Sequence, residues 1–276
     1  MAIRPAAVSG LFYPAEPERL RADVLAYLAA GEQRRRQQNV LAPLTKLKAL
    51  IVPHAGYMYS GATAGRAYAE LACLKKKPRK ILLLGPAHRV YTPFISVAAV
   101  QAYQTPLGPV NVSEIALTLA QTYGFMPAVH QQEHSLEVQL PFLQCILPDF
   151  ELIPIVVGGA DPARLATVIA PLLDDETLLL ISTDLSHFLT DDQARQRDAQ
   201  SHQGIVNLDI EGFRQKGDAC GKIGVLMAMI LAKQNRWASF FLDYTNSSDA
   251  SGDRSRVVGY GAYAMGLTTN HEDKQQ

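Results

Sequence analysis

Residues 47–54 read LKALIVPH, an aliphatic run that ends at a proline and a histidine. The same pattern recurs as KILLLGPAH at residues 80–88 and as TLLLISTDLSH at residues 177–187. Short runs rich in isoleucine, leucine and valine, closed by glycine, proline or serine, are typical of fully buried strands. Because helical patterns separate the three runs, they predict an α/β fold with helices on both faces of a largely parallel central sheet.

The remaining chain supplies further elements for this sheet. LIPIVVGG at residues 152–159 predicts another buried strand, and the adjacent runs SFFLDYT and SRVVGYGAYAM predict final strands that make the sheet mixed. The other expected elements are a strand at 94–100, a polar loop at 31–39, and helices at 16–30, 114–123, 134–147 and 191–203 and after Cys220. No linker or repeat interrupts the chain, so we expect a single domain over residues 1–276 with a frayed tail at 268–276.

Composition excludes several classes of protein. The 26 lysines and arginines balance 26 aspartates and glutamates, which argues against a nucleic-acid-binding protein. No apolar stretch reaches the roughly 18 residues of a membrane span, and the first residues lack the apolar core of a secretory signal. Three widely spaced cysteines without a CxxC pair favour a reducing cytoplasm, with Cys73 and Cys145 as inert packing residues in helices.

Polar side chains follow the three aliphatic runs at the points where the strands end. These side chains are His54, His88, and the pair Asp184 and His187. In an open α/β sheet the ligand crevice lies beyond the carboxyl ends of the strands, so we expect these groups to share one pocket. Two histidines with one anionic ligand are typical of a metal that keeps open positions for a substrate. The alternative is structural: histidines bonded to the backbone, and an aspartate that caps a turn.

Three further residues are candidates for the same pocket. His134 and Glu137 lie three apart on a predicted helix and share one face, which suits a ligand pair, an outer shell of the metal site, or a helix cap. Cys220 precedes an apolar helix, whose N-terminus favours the thiolate form that binds metals; buried packing is the alternative. Asp184, Glu137 and Cys220 are therefore the candidate anionic ligands.

Eight motifs in order give the chain a resemblance to the Memo family, also called the AmmeMemoRadiSam system protein B family. They are RPAAVSGLFYP, PHAGYMYSG, GPAHR, QTPLGPV, EHSLEVQLPFL, STDLSHF, DACG and GDRSRVVGYGAYA, which together run nearly from end to end. The family is similar in fold to the class III extradiol ring-cleaving dioxygenases, which use non-haem iron(II). The resemblance therefore implies a class III extradiol dioxygenase-like fold.

The resemblance also implies roles for particular residues. His54, His88 and Cys220 would form the metal pocket, with Cys220 where the dioxygenases place a carboxylate. His187 matches their catalytic histidine, and Asp184 lies beside it. We also expect His134, Glu137 and Tyr57 to orient the ligands or to contact the substrate. A functional link to a radical-SAM protein follows from the prokaryotic members.

The sequence leaves three functions open. The first is a metal-dependent redox enzyme with iron as the leading cofactor and copper or zinc as alternatives, because a thiolate is a soft ligand. The second is a non-enzymatic module that uses the pocket to bind a peptide or partner protein. The third is a zinc-dependent hydrolase that acts on a small molecule or peptide through water on an open coordination position. Fold alone does not choose among them.

Overall fold

The computed structural model describes residues 2–38 and 44–269. Within these ranges the strands are β1 Ile3–Arg4, β2 Leu44–Val52, β3 Lys80–Pro86, β4 Ile95–Val97, β5 Ala102–Thr105, β6 Gly108–Asn111, β7 Glu151–Val157, β8 Thr177–Ser182, β9 His187–Leu189, β10 Ala238–Asn246 and β11 Val257–Thr268. The helices are α1 Pro17–Gln38, α2 Tyr57–Ala72, α3 Glu114–Tyr123, α4 Pro127–Gln131, α5 Leu140–Ile146, α6 Pro162–Ile169, α7 Asp191–Val206, α8 Ile210–Lys216, α9 Lys222–Gln234 and α10 Ser248–Ser251. Short 3-10 turns cover Glu137–Gln139 and Ala170–Leu172.

The main sheet is mixed, with a parallel centre, as the sequence predicts. Its strand order is β10-β11-β2-β8-β3-β7-β4, and β9 pairs with β11. The four strands β2, β8, β3 and β7 run parallel, whereas β4, β10 and β11 pair antiparallel with their neighbours. The three aliphatic runs of the sequence are thus adjacent strands, and their carboxyl ends lie at one edge of the sheet.

Helices cover both faces of this sheet, which confirms the predicted layers. Successive residues of a strand point to opposite faces, so Leu50 packs in one core and Ile51 in the other. The first core contains residues of α1, α2 and α5, and the second contains residues of α6 and α9. The strand ends that carry the site are therefore fixed by a hydrophobic core on each face of the sheet.

A second, smaller sheet was not expected from the sequence. It joins β1, β5 and β6 in the order β1-β5-β6, with β1 parallel to β5. The strand predicted at 94–100 is correspondingly short and covers only Ile95–Val97. Strands of two to four residues carry too little periodicity for a pattern argument to find them.

Helix α1 corrects the loop expected at residues 31–39. The helix continues to Gln38, and Asn39 lies outside the described residues. Glu32 accepts hydrogen bonds from Arg35 and from Arg36, at the spacings of three and four residues that place side chains on one helical face. The charged cluster that the sequence suggests is a solvated loop is therefore a set of ion pairs along a helix.

The segment at 134–147 is also not one helix. Pro141 stands in the first turn of α5, where its missing N–H costs nothing, and the helix begins at Leu140. His134 lies before the 3-10 turn, outside any helix. The prediction that His134 and Glu137 share a helical face was therefore wrong. Of the tail predicted to fray, Thr268 still belongs to β11, and residues 270–276 lie outside the described ranges.

The cysteines and helices bear on two further expectations. All three cysteines are free. Cys145 is half-buried and packs against the core, as predicted, whereas Cys73 is exposed, so the prediction that Cys73 is a packing residue was wrong. The Cys73 thiol donates to the carbonyl of Glu70 at the end of α2. No helix within residues 2–38 and 44–269 combines the length and apolarity needed to cross a membrane.

Helices α1 and α2 cross at two glycines, which gives a first prediction. A Cβ atom on Gly31 would overlap the backbone carbonyl of Gly65. We expect Gly31→Ala to lower the free energy of unfolding by about 1–3 kcal/mol, the usual cost of overpacking, measured by urea denaturation. At an exposed position the preference is reversed, so Ala29→Gly should also destabilise, by about 1 kcal/mol. A Gly31→Ala protein more stable than the wild type would contradict the close crossing.

Candidate metal centre

Three histidines meet beyond the carboxyl ends of the parallel strands. His54 follows β2, His88 follows β3, and His134 arrives from the connection before the 3-10 turn. One ring nitrogen from each lies within 4.8 Å of the others. The ring centroids of His54 and His88 are 5.1 Å apart, and those of His88 and His134 are 4.6 Å apart. The group is close enough to hold one metal ion.

Hydrogen bonds fix the tautomer of His54. The Ser182 hydroxyl donates to the Ser135 carbonyl at 2.5 Å, so its oxygen accepts from Nδ1 of His54 at 2.9 Å. Nδ1 therefore carries the hydrogen, and the lone pair lies on Nε2. Burial and the neighbouring imidazoles His88 and His134 lower the pKa of His54 well below its ordinary value. The ring is a neutral donor to a metal.

Glu133 plays the same part for His88. Its carboxylate accepts from Nδ1 of His88 at 2.9 Å and from the His88 backbone N–H at 2.6 Å. Burial alone would raise the pKa of Glu133, but its bonds and charge interaction with His88 outweigh burial and lower it to about 2. A carboxylate behind an imidazole fixes its orientation and increases its basicity toward a metal.

His134 completes the group. Its ring stacks on His88 and lies 4.6 Å, centroid to centroid, from the ring of Phe12. Burial lowers the pKa of His134 to about 4, although the nearby Glu133 carboxylate opposes the shift. At neutral pH this imidazole is unprotonated too. The sequence left His134 as a ligand, an outer-shell residue or a cap, and the structure brings its ring into the group itself.

Cys220 lies beside the three rings rather than among them. Its Sγ is 3.2 Å from Nε2 of His54 and accepts from the backbone N–H of Asp184 at 3.2 Å. The close group of ring nitrogens does not include this sulfur. Burial, with the charge of Asp184, raises the pKa of the Cys220 thiol to about 12. The thiol is protonated here, and a metal that coordinates it displaces the proton.

Asp184 and His187 border the same space. Asp184 accepts from the backbone N–H of His54 at 2.7 Å, and burial raises its pKa to about 6. Nδ1 of His187 lies 2.8 Å from the carbonyl of Leu185 and must donate to it, which leaves Nε2 as the basic nitrogen. His187 is close enough to contribute to the pKa shifts of both His54 and Asp184.

Two predicted site residues lie elsewhere, and their expected roles are corrected. Glu137 is fully buried beneath the N-terminal segment, where it binds Arg4 at 2.6 Å and the hydroxyl of Tyr13 at 2.5 Å. Tyr57 donates its hydroxyl to the carbonyl of Val138 at 2.6 Å and packs on Phe142 in the core. The hydrogen bonds of both side chains stabilise the fold and involve none of the three histidines.

Glu133 and Ser182 were missed. The only sequence signal for Glu133 is its place next to His134 in EHSLEV, and Ser182 looks like the ordinary end of a strand. Neither lies at a helical or strand spacing from its histidine, because each meets it through a tertiary contact. Sequence periodicity reports the faces of one element and is silent about contacts between elements.

The donor set fits a transition metal. His54 has the hydrogen on Nδ1 and its lone pair on Nε2, Nδ1 of His88 donates to Glu133, and burial keeps His134 neutral. Imidazole suits zinc, copper and iron, and a thiol at 3.2 Å from the first ring adds a soft donor. Magnesium and calcium prefer oxygen ligands, so this set favours the softer metals.

Comparison with known proteins agrees with the motifs. A family model described as Memo-like protein matches residues 4–264. A MEMO1 family protein of Sulfolobus acidocaldarius is 36% identical over 278 residues, covering 94% of this chain and 97% of its own. One from Methanosarcina mazei is 34% identical, covering 95% and 98%, and one from Methanopyrus kandleri is 35% identical, covering 94% and 97%.

Proposed function

The chain belongs to the Memo family, and from this premise we propose that it binds a transition-metal ion at His54, His88 and His134, with the Cys220 sulfur as a fourth donor. One observation carries the proposal: three histidines each bring a ring nitrogen within 4.8 Å of those of the other two.

We propose that the centre acts on a small molecule. A bound metal ion supplies Lewis acidity and, if it is iron or copper, one-electron redox chemistry. The residues do the rest: Glu133 and Ser182 orient the imidazoles, and the free Nε2 of His187 holds or accepts a proton at the edge of the site. The resemblance to extradiol dioxygenases supports iron and redox chemistry, while the thiol supports copper or zinc.

The proposal is tested by elemental analysis of protein purified anaerobically, with the metal that it acquired in the cells that expressed it. We expect close to one iron, copper or zinc ion per chain in the wild type and in His202→Ala, a matched control in α7. His88→Ala should lose that metal. A metal content that is negligible in the wild type, or unchanged in His88→Ala, would contradict the proposal.

The identity of the metal separates the remaining functions. Redox-active iron or copper favours the oxidoreductase, whereas zinc without redox change favours a hydrolase. A metal-loaded protein that binds a peptide but shows neither oxygen uptake nor hydrolysis would favour the non-enzymatic module. The first two outcomes support both metal binding and catalysis. The third outcome supports metal binding but contradicts catalysis.

Glu133 gives a prediction about the outer shell. We expect Glu133→Gln to weaken zinc binding by about 10–100-fold, the usual effect of replacing a group that orients a metal-bound histidine. Glutamine keeps the size of the side chain but cannot accept with both oxygens from the Nδ1 and backbone N–H of His88. Competition with a chromogenic chelator measures the affinity. Glu114→Gln, an exposed change, serves as the control, and equal affinities in both variants would remove Glu133 from the site.

A further inference from the structure

A cavity of about 210 Å³ lies beside Ser182 and Cys220, on the face of the sheet that carries α9. The ends of β3, β7 and β8 form one wall, and the first turn of α9 forms the other. The residues that line it include Leu84, Val157, Ile181, Ile223, Ser182 and Cys220. None of the roles assigned above accounts for this space.

The cavity and the histidine group share two residues. Ser182 bonds Nδ1 of His54 at 2.9 Å, and Sγ of Cys220 lies 3.2 Å from Nε2 of the same ring. Both also line the cavity. A molecule that fills the cavity therefore contacts residues that themselves bond to His54. The cavity extends the candidate metal centre toward α9.

The lining determines what the cavity accepts. Leu84 and Ile181 are almost fully buried, and both belong to the apolar core on this face. The one charged residue of the lining, Lys222, already donates its ammonium group to the carbonyl of Gly217 at 2.7 Å. A buried charge without a partner is strongly unfavourable, so the group that enters is uncharged and mainly apolar.

The volume sets the size of that group. An apolar cavity of about 150 Å³ is sufficient to bind benzene. The cavity beside Cys220, at about 210 Å³, accommodates a single ring or a branched aliphatic chain with one small substituent. It is too small for a folded peptide segment or a fused polycyclic body.

We infer that this cavity receives the uncharged, apolar, single-ring-sized group of the small molecule on which the centre acts. The inference rests on the proposed function, because the metal group is what gives the polar end of that molecule a partner. The ligand class is a compact neutral molecule with an apolar body and a polar end directed at Cys220, whose sulfur lies 3.2 Å from His54.

Benzyl alcohol, a neutral ring with one hydroxyl, is the probe. Zinc-loaded full-length protein with labelled methyl groups is titrated with it and followed by NMR. We expect saturable shifts at the methyls of Leu84, Val157 and Ile181. Two variants fill the cavity from opposite walls, Val157→Phe from the strand and Ile223→Trp from the half-buried first turn of α9, and each should weaken binding at least 10-fold. Ile230→Trp, two turns along α9 and outside the lining, should leave it unchanged.

The absence of a saturable shift at these methyls in the zinc-loaded wild type would overturn the inference, and so would affinity retained in both filled variants. Benzoate, the charged counterpart, should bind at least 10-fold more weakly than benzyl alcohol; equal binding contradicts the uncharged class. Zinc affinity is measured in every sample. Benzyl alcohol bound in the cavity of a protein that does not bind zinc would end the metal proposal but support the cavity.

Discussion

Replacing His54 with alanine is expected to lower the affinity of the protein for zinc by more than about 100-fold, beyond the 10–100-fold usual for outer-shell residues. The ring offers a lone pair on Nε2 because Ser182 accepts the hydrogen of Nδ1. Removing it takes away one donor and the ring whose Nε2 lies 3.2 Å from the Cys220 sulfur. Competition with a chromogenic chelator measures the loss.

Two comparisons make this result specific. His202→Ala removes a histidine of α7 that lies outside the group and should bind zinc like the wild type. Cys220→Ser keeps the size and hydrogen bonding of the side chain but replaces the soft donor. We expect it to weaken zinc binding less than His54→Ala does, while removing sulfur from the metal. Undiminished affinity in His54→Ala would place the metal elsewhere.

The second large effect concerns stability. We expect Glu137→Ala to lower the free energy of unfolding by about 3–5 kcal/mol, because it leaves a buried arginine without its counter-charge. Glu137 is fully buried, binds Arg4 at 2.6 Å and accepts from the backbone N–H groups of Ala7 and Val8. The carboxylate thus fastens the N-terminal segment to the 3-10 turn. Urea denaturation measures the loss.

A double replacement tests the reason for that loss. In Arg4→Met with Glu137→Leu no charge remains buried, so the pair should be more stable than Glu137→Ala alone. The backbone groups of Ala7 and Val8 stay without their acceptor, so stability should not return fully. Asp149→Ala, an exposed change, should stay within about 0.5 kcal/mol of the wild type. A Glu137→Ala protein of wild-type stability would contradict the anchoring role.

The sequence predicts the centre of the sheet well, because its signal is local. Aliphatic runs of four to eight residues report buried strands, and each strand end places its histidine at the same edge. His54 and His88 were identified for this reason. Their neighbours Glu133 and Ser182 were not, since each meets its histidine only after distant segments have packed.

Glu137 shows the opposite failure. A carboxylate three residues after a histidine suggests a shared helical face. Pro141 instead delays the helix to Leu140, and the buried Arg4 claims the carboxylate. In the same way, the sequence of the arginine cluster after Gly31 suggests a loop, whereas in the structure the cluster belongs to α1 and pairs with Glu32. In both cases a tertiary or pairwise contact overrides the local pattern.

X-ray absorption at the metal K-edge tests the central claim most directly, because it reports the atoms bound to the metal. For zinc-loaded protein we expect imidazole scattering from about three nitrogen ligands near 2.0–2.1 Å and one sulfur near 2.3 Å. The sulfur should vanish in Cys220→Ser, while the imidazole signal remains. A first shell of oxygen alone, without imidazole scattering, would contradict a metal site at His54, His88 and His134.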